Sequence, residues 1–379
     1  MIPYGRQSIS EADIEAVVAV LRSDYLTQGP VVPRFEQAVA DYCNAGFGIA
    51  VNSGTAALHI ACLALGVGPG DWVWTSPISF VASANCALYC GAQVDFVDVE
   101  PDTGNLCAVE LEKKLALAKK EGKLPKVVLP VHFAGLPCDM QAIHALGQEY
   151  GFRIIEDACH ALGARYQDEP TGNSRYSDIT VFSFHPVKII TTGEGGMAMT
   201  NDPKLAKTMR LLRSHGITRE VEDFINEPHG PWYYEQQLLG FNYRMTDIQA
   251  ALGLSQMTRL DEFLAKRRAI VARYQTELPR PGVEVLANRE GRLSAWHLFV
   301  IKVQAGQRKE IFKQLRNAGI GVNVHYMPIY KQPFYINEHK GKKPIKALRL
   351  YKGIITIPLH PSLNEQEQQK IIDNIYLGR

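Results

Sequence analysis

A lysine inside an apolar run is the first residue of this chain with the means to do chemistry. Lys188 lies in Val181-Phe182-Ser183-Phe184-His185-Pro186-Val187-Lys188-Ile189-Ile190, which opens onto Thr191-Thr192-Gly193-Glu194-Gly195-Gly196. An amine held among hydrophobes must pair its charge or lose its proton, and a neutral amine attacks carbonyls. Upstream, Asp157 closes a second apolar run, Phe152-Arg153-Ile154-Ile155-Glu156-Asp157. A lysine able to form a Schiff base and a carboxylate able to hold a pyridinium nitrogen are the two protein groups that pyridoxal phosphate chemistry needs.

A place for an anion follows from Val51-Asn52-Ser53-Gly54-Thr55-Ala56-Ala57-Leu58, which runs strand, tight turn, helix. Small residues there let the amides of a helix start approach a negative group, which the helix dipole favours; an ordinary helix cap has the same pattern. It is not a Walker loop, and the chain has no GxGxxG to mark a nicotinamide site. Phe80 follows a strand end, where its ring could stack on a flat cofactor or simply join the core. The glycines after Lys188 suit close backbone packing around a ligand or a plain turn. His160, His185 and His325 are candidates that, taken singly, read more readily as hydrogen-bonded structural histidines.

These residues need a scaffold, and the pattern supplies one. From residue 47 short apolar strands (48–51, 94–97, 127–131, 153–156, 179–182) alternate with helical stretches (55–65, 83–88, 108–118, 140–150). Such alternation predicts a mostly parallel sheet covered on both faces, with ligands at the carboxyl ends of its strands. Ahead of it, a capping box at Ser10-Glu11-Ala12-Asp13 opens an amphipathic helix, and residues 35–42 form another. After Thr246-Asp247-Ile248-Gln249-Ala250-Ala251-Leu252-Gly253 a long helical stretch runs through Arg268 to Tyr274 and breaks at Pro279-Arg280-Pro281-Gly282. Beyond it, strands at 296–303 and 354–357 mix with helices at 309–318 and from Asn364, capped by Ser362. The reading is α/β: a large domain over 1–255 and a small α+β domain over 256–379.

Composition narrows the function. Lys+Arg 41 against Asp+Glu 39 leaves a net charge of +2, so no nucleic acid or anionic membrane partner is expected. The 46% hydrophobic content supports a large core. Seven scattered cysteines without a CxxC pair give neither a disulfide framework nor a zinc site, and no metal is expected. With no signal-peptide pattern at the first residues and no stretch suited to a bilayer, a cytoplasmic protein is expected.

Five segments stand in the order of a known family: Ser53-Gly54-Thr55-Ala56-Ala57-Leu58, Glu156-Asp157-Ala158-Cys159-His160-Ala161-Leu162-Gly163-Ala164, Phe182 to Lys188, Thr192-Gly193-Glu194-Gly195-Gly196 and Gly240-Phe241-Asn242-Tyr243-Arg244-Met245. The chain resembles the DegT/StrS nucleotide-sugar aminotransferases, fold-type I pyridoxal phosphate enzymes, over essentially its whole length. The resemblance implies that Lys188 carries the cofactor and shuttles protons. Asp157 keeps the pyridine nitrogen protonated, and His160 sits near the phenolic oxygen. Phe80 stacks on the ring, while the Ser53-Gly54 turn with Thr55, Ala56 and Ser183 holds the phosphate. Asn242 reaches that phosphate from the partner subunit, so a homodimer with shared sites is implied.

Tyr4-Gly5-Arg6-Gln7, His185-Pro186-Val187-Lys188, Arg213 to Ile217, Trp232 to Glu235 and Asn323 to Tyr330 are most similar to one branch of that family. That branch aminates C4 of a UDP-linked 4-keto-6-deoxy-N-acetylhexose, with L-glutamate as donor, for pseudaminic acid. Ile189 departs from it by replacing a frequent proline beside the lysine. Tyr4, Leu26, Thr27, Gln28, Gly29, Ser183, Arg244, His325, Tyr326, Met327, Pro328 and Ile329 are then the implied sugar-nucleotide contacts. Other family members work at C3 or on dTDP-sugars, and these remain alternatives. A related sugar dehydratase carries histidine in place of the lysine, so Lys188 argues against it. A sensor without turnover would not need the complete lysine, aspartate and phosphate set.

Overall fold

The computed structural model describes residues 1–338 and 343–376. Helix α1 (Glu11–Leu21) begins as its sequence requires: Ser10 Oγ accepts the Asp13 amide hydrogen and the Asp13 carboxylate accepts that of Ser10. After α2 (Val31–Cys43) the chain alternates through β1 (Phe47–Val51), α3 (Gly54–Ala64), β2 (Trp72–Thr75), α4 (Ala82–Tyr89), β3 (Gln93–Phe96), α5 (Ala108–Glu121), β4 (Val127–Leu129), α6 (Met140–Tyr150) and β5 (Arg153–Asp157). Strands β6 (Ile179–Ser183) and β7 (Gly196–Thr200) and helix α7 (Pro203–Arg213) follow.

The seven strands form one sheet in the order β1-β7-β6-β5-β4-β2-β3. All neighbours are parallel except β7, which runs antiparallel to both β1 and β6. Alternate residues enter different cores, the mark of a sheet covered on both faces. Ile155 and Val181 pack with α3, α4 and α7 residues such as Ile60, Cys86 and Met209. Phe182, Met197 and Met199 pack on the other side with Phe35 and Val39 of α2. Period two then sends Asp157 and Ser183, at the strand ends, to the α3/α4 side.

Beyond α7 the long helical stretch expected through Arg268 to Tyr274 lies in α9 (Leu260–Glu277), with a separate helix α8 (Asp247–Met257) before it. The break falls at Thr258-Arg259, where Arg259 turns back to pair with buried Asp13 of α1. Strands β8 (Val283–Val285), β9 (Phe299–Val303) and β10 (Ile354–Ile357) form a separate antiparallel sheet. It packs on α9, α10 (Arg308–Asn317) and the last helix through Ile270, Tyr274, Phe299, Leu315 and Ile371. Helices α11 (Pro333–Glu338) and α12 (Ile345–Gly353) precede α13 (Glu365–Tyr376). The last helix is capped by Asn364, not by Ser362: Asn364 Oδ1 accepts from the Glu367 amide at 2.9 Å, while Ser362 Oγ meets His360.

One stretch joins the two sheets. Residues 323–335 leave the smaller unit and cross back onto the larger, where Ile329, Tyr330 and Tyr335 enter the α3/α4-side core. The Ile329 amide donates to the Pro77 carbonyl at 2.9 Å. No helix among the described residues is long and apolar enough to cross a membrane.

Candidate active site

The carboxyl ends of β1, β2, β5 and β6 open into a cavity of about 1000 Å³, closed from above by Tyr4 and the 323–327 stretch. Asp157 ends β5 and is 4% exposed. Its Oδ2 accepts from Ser83 Oγ at 2.6 Å and its Oδ1 from the Cys159 amide at 3.2 Å. Ser79 Oγ lies 2.6 Å from Ser83 Oγ. Since the Ser83 proton goes to the carboxylate, Ser79 must be the donor to Ser83, giving a directed relay Ser79→Ser83→Asp157.

Lys188 lies in the same cavity; its backbone amide donates to the His185 carbonyl at 2.9 Å, while its amine has no hydrogen-bond or ion-pair partner among the described residues. Burial lowers the pKa of its amine, partly opposed by the nearby Cys159 and Asp157. The apolar run around it accounts for this: desolvation penalises the ammonium more than the amine.

The turn between β1 and α3 forms the anion end. Ser53 caps α3, its Oγ accepting the Ala56 amide hydrogen at 3.1 Å. Ala56 therefore has its amide engaged and does not line the cavity, whereas Ser53, Gly54 and Thr55 do. The first-turn amides of Gly54 and Thr55 have no carbonyl partner within the helix, as at any helix start. Packing requires the glycines here. A Cβ on Gly196 would lie 2.5 Å from the Ser53 carbonyl carbon and oxygen, and one on Gly54 2.9 Å from Ser183 Cβ. Two bare backbones thus let the turn rest on β6 and β7, with the half-buried Ser183 beside it.

His160 is 6% exposed and lies with its Nε2 3.1 Å from the Tyr326 hydroxyl. Its Nδ1 is buried without a partner. The His297 ring packs 4.4 Å from it, centroid to centroid, and His297 Nδ1 is likewise unpartnered. Burial, then the positive charge of Lys188 and the neighbouring histidines, push the His160 pKa well below the usual histidine range. His297 is pushed the same way, first by burial. His325 bonds Thr356 Oγ1 at 2.9 Å and faces the Asn323 side-chain amide at 3.3 Å. Burial and then Lys188 bring its pKa down to about 4.

Phe80 is 60% exposed on the cavity wall, leaving ring surface open to a planar ligand. Tyr4, His325, Tyr326 and Met327 also line it. Ile329 does not: it is fully buried core, and Pro328 before it is buried too. Leu26, Thr27, Gln28, Gly29, Asn242 and Arg244 lie off this chain's cavity wall. Thr27 pairs with Thr246, Asn242 with Ser214 and Arg244 with Val51. The Gly29 amide donates to Asp247 Oδ1 at 3.2 Å. Ser79, Ser83, His297 and Asn323 also line the wall and were not among the sequence candidates. The four-residue spacing of Ser79 and Ser83 at the head of a helix was the one local signal.

An amine whose charge is penalised by desolvation, a carboxylate oriented by two donors, a helix-start turn backed by two glycines and an orphaned imidazole nitrogen fit a flat, phosphorylated heteroaromatic aldehyde. Comparison with known proteins agrees. The Campylobacter jejuni UDP-4-amino-4,6-dideoxy-N-acetyl-beta-L-altrosamine transaminase is 36% identical, over 99% of this chain and 97% of that protein. The Bacillus subtilis (strain 168) spore coat polysaccharide biosynthesis protein SpsC is 37% identical, over 99% of this chain and 96% of its own. The solved structure of Helicobacter pylori PseC, an aminotransferase involved in the biosynthesis of pseudoaminic acid, superposes with a TM-score of 0.91 at 31% identity, covering 99% of this chain and 98% of that one. The family model for DegT/DnrJ/EryC1/StrS aminotransferases matches residues 7–376, so the chain belongs to that family of pyridoxal-phosphate-dependent sugar aminotransferases.

Proposed function

We propose that the chain transfers the amino group of L-glutamate to C4 of a UDP-linked 4-keto-6-deoxy-N-acetylhexose, giving UDP-4-amino-4,6-dideoxy-N-acetyl-β-L-altrosamine and 2-oxoglutarate. The observation that carries this reading is the meeting of Lys188, Asp157 and the Ser53–Thr55 turn in one cavity, in a chain that aligns end to end with a transaminase of that specificity. Pyridoxal phosphate, when bound, supplies an electron sink for the carbon that gains and loses the proton. Lys188 binds the cofactor and moves that proton, and its lowered pKa raises the share of free amine available as base. Asp157 holds a proton at the pyridine nitrogen, oriented for it by Ser83 and the Cys159 amide. Ser53, Gly54, Thr55 and Ser183 hold the phosphate, and Phe80 covers the ring.

Tyr4, His325, Tyr326 and Met327 form the wall that a sugar nucleotide would meet. Two copies act together in this proposal: Asn242, Arg244 and the Leu26–Gly29 segment, absent from their own chain's cavity wall, serve the partner's site. The cytoplasm is the proposed location. A second reading, amination of another nucleotide keto-sugar, is supported by the equal likeness to SpsC.

The test is spectroscopic, then chemical. The purified protein should turn yellow with pyridoxal phosphate, and L-glutamate should bleach the band. A UDP-4-keto-6-deoxy-N-acetylhexose should then restore it while an aminated sugar appears in the mass spectrum. A protein that stays colourless ends the reading; bleaching without turnover of that sugar favours the second one.

A further inference from the structure

The Tyr326 hydroxyl meets the His160 ring at Nε2, 3.1 Å away, although the two residues are far apart in the chain. The two rings lie nearly parallel, 21° apart with centroids 6.1 Å apart. Burial, reinforced by Tyr4 and Asp157, raises the phenol's pKa, so the hydroxyl keeps its proton. His297 packs on His160 at 4.4 Å, and His160 Nδ1 is enclosed without a protein partner in a residue only 6% exposed.

Hydrogen-bond chemistry decides which imidazole nitrogen carries the proton. A phenol is a far stronger acid than a neutral imidazole N–H, and an imidazole lone pair is a stronger base than a phenol oxygen. Tyr326 O–H therefore donates and His160 Nε2 accepts. In a neutral imidazole one nitrogen accepts and the other donates, which leaves the proton on Nδ1.

We propose that Tyr326 is a positioning residue that fixes His160, a wall residue of the cavity, as its Nδ1–H tautomer, so that the ring keeps one arrangement of donor and acceptor edges beside the bound cofactor. Without the phenol the opposite tautomer becomes accessible. The donor and acceptor edges of the ring would then exchange places. The consequence for turnover rests on the proposed function; the tautomer itself is a property of the chain and is measured separately.

Full-length protein labelled with nitrogen-15 histidine reports the tautomer through two-bond proton–nitrogen correlations, recorded without and with pyridoxal phosphate. His160→Gln removes, and so assigns, the His160 signals. The wild type is expected to show a protonated Nδ1, and Tyr326→Phe, which keeps the ring and loses only the donor, to shift His160 toward the Nε2–H form. In the same variant the kcat of the glutamate half-reaction should fall about tenfold with KM within about twofold, the scale of one hydrogen bond. An Nε2–H tautomer in the wild type, or the same tautomer in both proteins, overturns the proposal. The expected tautomers in a protein that never takes up pyridoxal phosphate would leave this inference standing and remove the functional reading instead.

Discussion

Lys188 combines two properties that seldom coexist: an amine, and surroundings that penalise its charge. Its replacement by alanine or arginine should leave the fold intact, because the side chain bonds to no described residue, while abolishing turnover. A Lys188→Ala protein with near-normal activity would end the mechanism. Ser83 makes a sharper case, since its hydroxyl accepts from Ser79 and donates to Asp157 at 2.6 Å. Ser83→Ala removes a charge-assisted bond and should lower turnover about 10- to 100-fold while melting close to the wild type. Unchanged kcat in that variant would show the carboxylate holds its orientation without the relay. Lys188 and Asp157 were legible because each stands against an apolar run, a contrast visible within a few residues. Ser83 and His297 were not, because their partners Asp157 and His160 are far away in the chain. A helix-forming serine and an isolated histidine look ordinary until the fold brings those partners to them.

The elements show the same division. Every strand proposed from an apolar run is present near the expected position, because a strand buried on both faces announces itself by continuous hydrophobicity. The antiparallel β7 was not among them: Gly196-Met197-Ala198-Met199-Thr200 has no β-branched residue before its last position, so its sequence looks like a turn and a helix start. Yet β7 sets the floor of the Ser53–Thr55 turn. The alanine Cβ of Gly196→Ala would have to displace the Ser53 carbonyl, so the variant should lose about 1–3 kcal/mol of stability, the usual cost of overpacking. It should also bind pyridoxal phosphate more weakly, as read by titration of the absorbance band. Wild-type affinity in Gly196→Ala would mean the turn can move away from β7 without cost to the anion site.

At the scale of the whole molecule, several buried histidines act in concert. His325 and His360 have pKa values brought down to about 4, chiefly by burial, and His160 and His297 are also lowered. In the unfolded chain each would take up a proton near pH 6.5. Between that pH and about 4 the unfolded state binds more protons, so stability falls as the pH falls. A histidine with such a shift costs on the order of 2 kcal/mol at about pH 5. The thermal midpoint should therefore drop between about pH 7.5 and about pH 5, and an unchanged midpoint over that range would contradict these burials.

Assembly is the other property of the whole molecule. Ile225 is 83% exposed, Leu239 81% and Trp232 70%, three exposed apolar side chains in the segment before Asn242, which is itself exposed and away from its own cavity. If a second copy covers this surface, Asn242 of one chain completes the site of the other, and the two defects Lys188→Ala and Asn242→Ala should complement. Each variant alone is expected to be nearly inactive. Co-refolded in equal amounts, half the dimers would be mixed, and each would hold one site with both its Lys188 and the Asn242 reaching it intact. Activity should then recover to about a quarter of the wild-type value. If Asn242 served its own chain's cavity, the mixed dimer would hold no intact site, and the mixture would be as inactive as its components.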